Sequence, residues 1–166
     1  TYKGLGLVNK TANNRATKPE AIVWLESKGV NININGTNTF DHPIFVAMQN
    51  QNLGVVKAYL ARGFDLTTLS NNGLTLLHAA LNATQEGQSI QFPNPRSTLM
   101  LVEEAKKSGI DIVNRVTRDG IRPIHQVAGL VNMPLKQEDV QHSTKLYLAQ
   151  QMQLTRILVE NGADIN

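Results

Sequence analysis

The chain has no cysteine, which excludes disulfides and thiolate metal ligands and suits a reducing compartment such as the cytoplasm, or one indifferent to redox. Aromatic residues make up only 5%, leaving few platforms on which nucleic-acid bases could stack. No apolar run approaches the roughly 18 residues that a membrane span needs, and the first residues lack the charged-then-apolar order of a signal peptide. Charge of either sign is sparse: 16 Lys and Arg stand against 13 Asp and Glu, an excess too small to argue for wrapping nucleic acid. A disulfide scaffold, a membrane protein and a nucleic-acid binder are thereby all disfavoured.

What is present fits an ordinary globular protein. A length of 166 residues corresponds to about one domain, able to bury roughly two thirds of its unfolded surface. The 17 asparagines are a heavy load of a residue that favours turns and caps. The basic residues are uneven, because Lys3, Lys10, Arg15 and Lys18 precede the first acid, Glu20, and Arg115, Arg118 and Arg122 surround Asp119. A first residue of Thr rather than Met suggests a piece of a longer protein.

Laying the chain against itself exposes repetition. Four apolar stretches end alike: AIVWLESKGVNIN (21 to 33), VVKAYLARGFDLT (55 to 67), LVEEAKKSGIDIV (101 to 113) and LTRILVENGADIN (154 to 166). Apolar residues recur at helical spacing and stop at Gly29, Gly63, Gly109 and Gly162, where a left-handed residue would cap a helix. The alternating tail that follows, as in Val30, Ile32 and Ile34, predicts a short extended arm with one face covered. A second phrase lies between these codas: FDHPIFVAM (40 to 48), NGLTLLHAAL (72 to 81) and DGIRPIHQVA (119 to 128). Asn72-Gly73 and Asp119-Gly120 are tight-turn pairs, and Thr75 and Pro123 suit the start of a short helix after them.

The combination resembles the ankyrin repeat, a 33-residue unit with T-P-L-H-x-A at the start of its first helix. Thr75-Leu76-Leu77-His78-Ala79-Ala80 matches except for Leu76 at the proline. Arg122-Pro123-Ile124-His125 departs at the threonine, and His42-Pro43-Ile44-Phe45-Val46-Ala47 keeps only proline and alanine. Phe45 and His78 are 33 apart, and the final ENGADIN is close to the family's pattern. The resemblance implies an all-α solenoid of helix-turn-helix pairs with short hairpin-like turns, in which stacked units share a core that none could form alone. It assigns residues 1 to 18 to a degenerate cap or linker and 19 to 166 to the repeat domain. A leading half would occupy about 19 to 34, with Thr17, Pro19 and Glu20 as a capping box, and repeats would follow over 35 to 67, 68 to 114 and 115 to 166. The array would stop where another hairpin would begin, truncated or with an uncapped face.

The spacing is irregular. His78 and His125 are 47 apart, which places about 14 extra residues within 84 to 96, a polar run ending PNPR. About 20 more fall within 130 to 149, with a short helix expected from Glu138 to Leu148. In such an architecture both insertions would enlarge one rim, either as a binding feature or as a disordered decoration.

Chemistry is hard to find. His78 and His125 occupy the family's helix-start position, which implies an imidazole bonded across the hairpin. His42 and His142 have no partner at a metal-ligand spacing and read as exposed. GLGLVNKT (4 to 11) approaches a phosphate-binding loop but has Asn9 at its second glycine. The acid pairs Glu103-Glu104 and Glu138-Asp139 diverge by about 100° on a helix and do not face each other. Trp24, Tyr59 and Leu158 read as packing residues.

The expectation is a non-catalytic, monomeric protein-binding module, with no cofactor, metal, nucleic acid or membrane. Its partner would be another protein, with an acidic surface to suit tip arginines. The resemblance implies contacts from Asn35 and Thr37, Ser70 and Asn71, and Arg115, Thr117 and Arg118 at successive tips. Gln49, Leu81, Asn82 and Gln126 would contribute from the inner helices. Glu in place of Arg115 and Arg118 should then weaken binding without lowering the melting point. The alternative is the substrate-recruiting part of a larger enzyme, since the irregular, asparagine-rich array resembles those of proteins that bacterial pathogens deliver into host cells.

Overall fold

The four coda glycines all take the left-handed backbone, with φ of +74° at Gly29, +78° at Gly63, +68° at Gly109 and +88° at Gly162. Beside each, the next amide reaches back to the carbonyl five residues earlier: Val30 to Leu25, Phe64 to Tyr59, Ile110 to Ala105 and Ala163 to Leu158. This wraps the last helical turn and satisfies carbonyls that would otherwise be orphaned. The computed structural model describes residues 8, 10–12, 14, 18–32, 42–82, 84–86, 89–91, 93–129 and 140–166. In chain order the regular elements there are α1 (Glu20–Ser27), α2 (Pro43–Gln49), α3 (Leu53–Leu60), α4 (Leu76–Ala80), β1 (Thr84–Glu86), β2 (Ser89–Gln91), α5 (Pro95–Lys107), α6 (Pro123–Gly129) and α7 (Val140–Glu160).

Helix starts follow local chemistry. Asn52, Thr75 and Asn94 each accept a backbone N–H through the side chain at the head of α3, α4 and α5, and His42 does so through its ring at α2. Pro43 and Pro95 take the first helical turn, where a missing N–H costs nothing. At α1 Pro19 occupies the cap and makes no side-chain bond, and Thr17 of the expected capping box lies outside the described residues.

Short and long helices alternate, and the class is all-α apart from one hairpin among the described residues. The pairs are α2 with α3, α4 with α5 and α6 with α7. The short members α2, α4 and α6 pack successively, and α5 packs on α7. One continuous core runs through these layers, containing Phe45, Tyr59, Leu77, Leu101, Val127 and Leu154. None of the described helices is long and apolar enough to cross a membrane.

Several local expectations are corrected. Two coda tails turn or bend where extended arms were expected, with Asp65 accepting from the Thr67 amide and Asp111 from Asn114. In the last tail Asp164 accepts from Asn166 without a regular turn, and Ile34 of the first lies outside the described residues. A short carboxylate offers the backbone a local partner and so turns it away from strand geometry. Within 84 to 96, β1 and β2 pair antiparallel with Thr84 opposite Gln91 and Glu86 opposite Ser89, and Pro95 and Arg96 already belong to α5. The short helix expected to end at Leu148 runs on to Glu160, because neither Gly nor Pro interrupts that stretch. Tyr59 and Leu158 are buried as expected, whereas Trp24 is 57% exposed and carries the Lys28 ammonium 5.9 Å from its ring centroid.

His42 is also buried, contrary to expectation. Its Nδ1 accepts from the Ile44 amide at 3.2 Å, and its ring packs on Tyr59 and Phe64 at centroid distances of 5.4 and 4.9 Å. Burial lowers its pKa to about 4 from an ordinary 6.5. Below pH 6.5 the unfolded chain therefore takes up a proton that the folded chain refuses until about pH 4. Stability is full above that window and falls as pH drops through it, by up to about 3 kcal/mol, then levels off. His42→Thr, which installs the residue found at the equivalent cap Thr75, should flatten that slope in denaturant titrations from pH 7 to 4. An unchanged slope would assign the acid sensitivity to other groups.

Candidate partner-binding surface

Two turns carry several of the predicted contact residues and are built alike. The Ser70 amide donates to the Leu74 carbonyl at 2.8 Å while the Ser70 hydroxyl accepts from the Leu74 amide at 3.0 Å. Forty-seven residues on, Thr117 repeats both bonds with Ile121, at 2.9 and 3.1 Å. Gly73 and Gly120 supply the positive φ, +76° and +79°. The Arg118 amide then donates to the Gly73 carbonyl at 2.8 Å, joining the two tips by a main-chain bond.

This construction corrects part of the expected contact set. Ser70 and Thr117 are buried, their hydroxyls turned inward to close the tips, and Leu81 is wholly buried in the core. These three cannot meet a partner. Asn35 and Thr37 lie outside the described residues. Asn71 and Asn82 are exposed, and Gln49 and Gln126 are half-buried. Gln126 Nε2 donates to the His78 carbonyl at 3.2 Å and to Asn82 Oδ1 at 3.3 Å, so these two predicted residues are neighbours across α4 and α6.

The arginines are engaged with the chain itself. Arg115 Nη2 donates to the Thr67 carbonyl at 3.0 Å and Arg118 Nη2 to the Asn71 carbonyl at 3.3 Å. Arg122 pairs with Asp164 at 3.0 Å and donates to the Asn166 carbonyl at 2.6 Å. Asp65 is held below the usual carboxylate range by hydrogen bonds from Thr67 and by the positive Arg115. Asp164 is lowered by the Asn166 amide and then by Arg122. Asn114 completes the lacing, donating to the Gly162 carbonyl at 2.9 Å and accepting from the Asp164 amide at 2.7 Å. Glu at Arg115 and Arg118 would therefore disturb contacts between successive tips, so an effect on stability is expected as well. The sequence shows the charges but not the carbonyls waiting for them.

The histidines separate in the same way. His78 is wholly buried, its Nδ1 2.7 Å from Thr75 Oγ1. Burial lowers its pKa, with the Ile121 and Arg122 peptide groups acting in the opposite direction. Its Nδ1 thus meets the cap of its own helix while the ring also lies against peptide groups of the following tip, and His125 is exposed. Among the described residues no cluster of three His, Asp or Glu could hold a metal ion.

Sequence reasoning missed an apolar edge beside the polar tip residues. Leu69 and Val116, each directly before a closing hydroxyl residue, are 40% and 43% exposed, and Ile121 is 45% exposed. Single exposed apolar residues are common on proteins. Here equivalent positions on two bonded tips repeat the exposure, which extends it along the row. The alternation around Ser70 and Thr117 carried the signal, since hydroxyls placed inward force their neighbours out. No model of a known protein family matches the chain, and no curated protein matches it.

Proposed function

We propose that the helix pairs are irregular ankyrin-type repeats forming a solenoid, and that the chain is a non-catalytic module binding a partner protein along its tips. The observation that carries this reading is the pair of tips locked by the Arg118–Gly73 backbone bond, with Leu69, Val116 and Ile121 outward beside Asn71 and Arg118. A surface already held in place loses little freedom on association, so a modest apolar patch can contribute well. Asn82 and Gln126 border the same row from the inner helices. Because the arginines already bond to carbonyls, apolar contact leads here and charge complementarity has the smaller part.

The test compares partner capture by the wild-type chain with capture by Leu69→Glu, Val116→Glu and Ile121→Glu. These half-exposed positions should tolerate the change within about 1 kcal/mol, while burying a carboxylate against an apolar partner surface should weaken association by tenfold or more, about 1.4 kcal/mol. Undiminished capture by the triple variant, with a normal melting point, would remove the tip edge from the account.

A further inference from the structure

A second surface, independent of the tip reading, lies on the last helix. We infer that the outer face of α7 docks an amphipathic helix with acidic borders, contributed by another protein. One side of α7 is consumed by the fold, where Tyr147, Leu154 and Leu158 are buried. Leu148, Met152 and Val159 lie on another side and are 46%, 68% and 47% exposed. With Thr155 they are spaced by four, three and four residues, which draws a straight seam along three turns, the spacing that helices use to pack side by side. A helix of 21 residues, about 31 Å long, offers ample length for such packing.

The earlier long helices show what normally happens at this seam. Seven residues before the coda glycine stand Ile22, Val56, Val102 and Thr155. The first three are buried, whereas Thr155 is half-exposed and returns its hydroxyl to the Gln151 carbonyl. A polar, self-satisfied residue there suits a contact that is reversible, because it loses little when uncovered.

Charge specifies the occupant. Lys145 and Arg156 are exposed, follow the seam along one side at helical spacing, and make no ion pair among the described residues. Glu160 lies further round the helix. An apolar seam with a basic border is complementary to a helix whose apolar face is edged by Asp or Glu, and such borders set partner choice and orientation. A second copy of α7 would bring its own Lys145 and Arg156 to the same face, which disfavours self-pairing.

The probes are two labelled helical peptides of about 20 residues, both with Leu at the seam positions and one bordered by Glu, the other by Lys. In fluorescence anisotropy at low salt, the Glu peptide should bind the full chain about tenfold more tightly than the Lys peptide. Met152→Glu with Val159→Glu should abolish binding while leaving the melting point unchanged. Lys145→Glu with Arg156→Glu should reverse the preference between the peptides. Leu69, Val116 and Ile121 variants should bind the Glu peptide as the wild type does, which separates this surface from the tips. Equal affinity for both peptides, binding of neither, or a wild-type dimer in sedimentation equilibrium that Met152→Glu with Val159→Glu dissolves, would each overturn the assignment.

Discussion

Gly73→Ala is expected to destabilise the chain by about 4 kcal/mol, combining left-handed strain, forced overlap and a lost hydrogen bond. A methyl group at this φ of +76° would overlap Cβ of Arg118 and stand 3.2 Å from its Nε and 3.4 Å from its backbone nitrogen. Neither tip can retreat, because the Arg118 amide is bonded to the Gly73 carbonyl itself and both tips are closed by their own hydroxyls. Gly120→Ala is the matched control. It has nearly the same φ, +79°, but nothing within 4 Å of the added carbon, so only the strain of about 1 to 2 kcal/mol applies. Urea midpoints of the two variants, at unchanged slope, measure the difference. Equal losses would mean that the tips are not in contact in solution.

Tyr59→Ala should cost about 3 to 5 kcal/mol, in the range for emptying a fully buried aromatic site. The ring is wholly buried, stands edge-on to His42, and donates its hydroxyl to the Ile32 carbonyl at 3.3 Å. Burial, with Glu26 nearby, pushes that hydroxyl's pKa well above its ordinary value, so it stays protonated and able to donate. Tyr59→Phe isolates the hydroxyl and should cost about 1 kcal/mol. Trp24→Ala removes a larger side chain yet should change stability by under about 1 kcal/mol, because more than half of it already meets water. A loss at Trp24 approaching that at Tyr59 would indicate that α1 packs differently.

The contrast between Tyr59 and Trp24 marks the limit of periodicity. Both fall on apolar helical patterns, but position relative to the coda separates them: Tyr59 precedes its glycine by four residues, as do the buried Leu25, Ala105 and Leu158. Trp24 precedes its glycine by five, where Ala58, Glu104 and Ile157 stand, and that position tolerates a side chain of almost any kind. Counting from the glycine, rather than scoring apolar content, would have assigned both. His42 misled for a different reason: its polarity implies exposure, whereas its place at the helix cap, 33 residues before Thr75, puts it under Tyr59 and Phe64.

The candidate surface was less legible than the fold. Tip residues were identified by their turn chemistry, but a hydroxyl between an apolar and a polar neighbour can close a turn inward or face a partner outward, and both uses need the same residue type. Ser70 and Thr117 are spent on the first use. The arginines near Asp119 form a charge cluster in one dimension, while in three each reaches a different turn: Arg115 to Thr67, Arg118 to Asn71 and Arg122 to Asp164 and Asn166.

Local chemistry written in the sequence decided where the long helices stop, where the tight turns fall and which faces must be covered, because left-handed glycines, cap side chains and helical apolar spacing act over a few neighbouring residues. Tertiary structure alone decided which polar groups were consumed in joining one turn to the next and which apolar ones were left uncovered. Those outcomes depend on main-chain groups about 47 residues away, brought within hydrogen-bonding reach only by the packing of successive helix pairs.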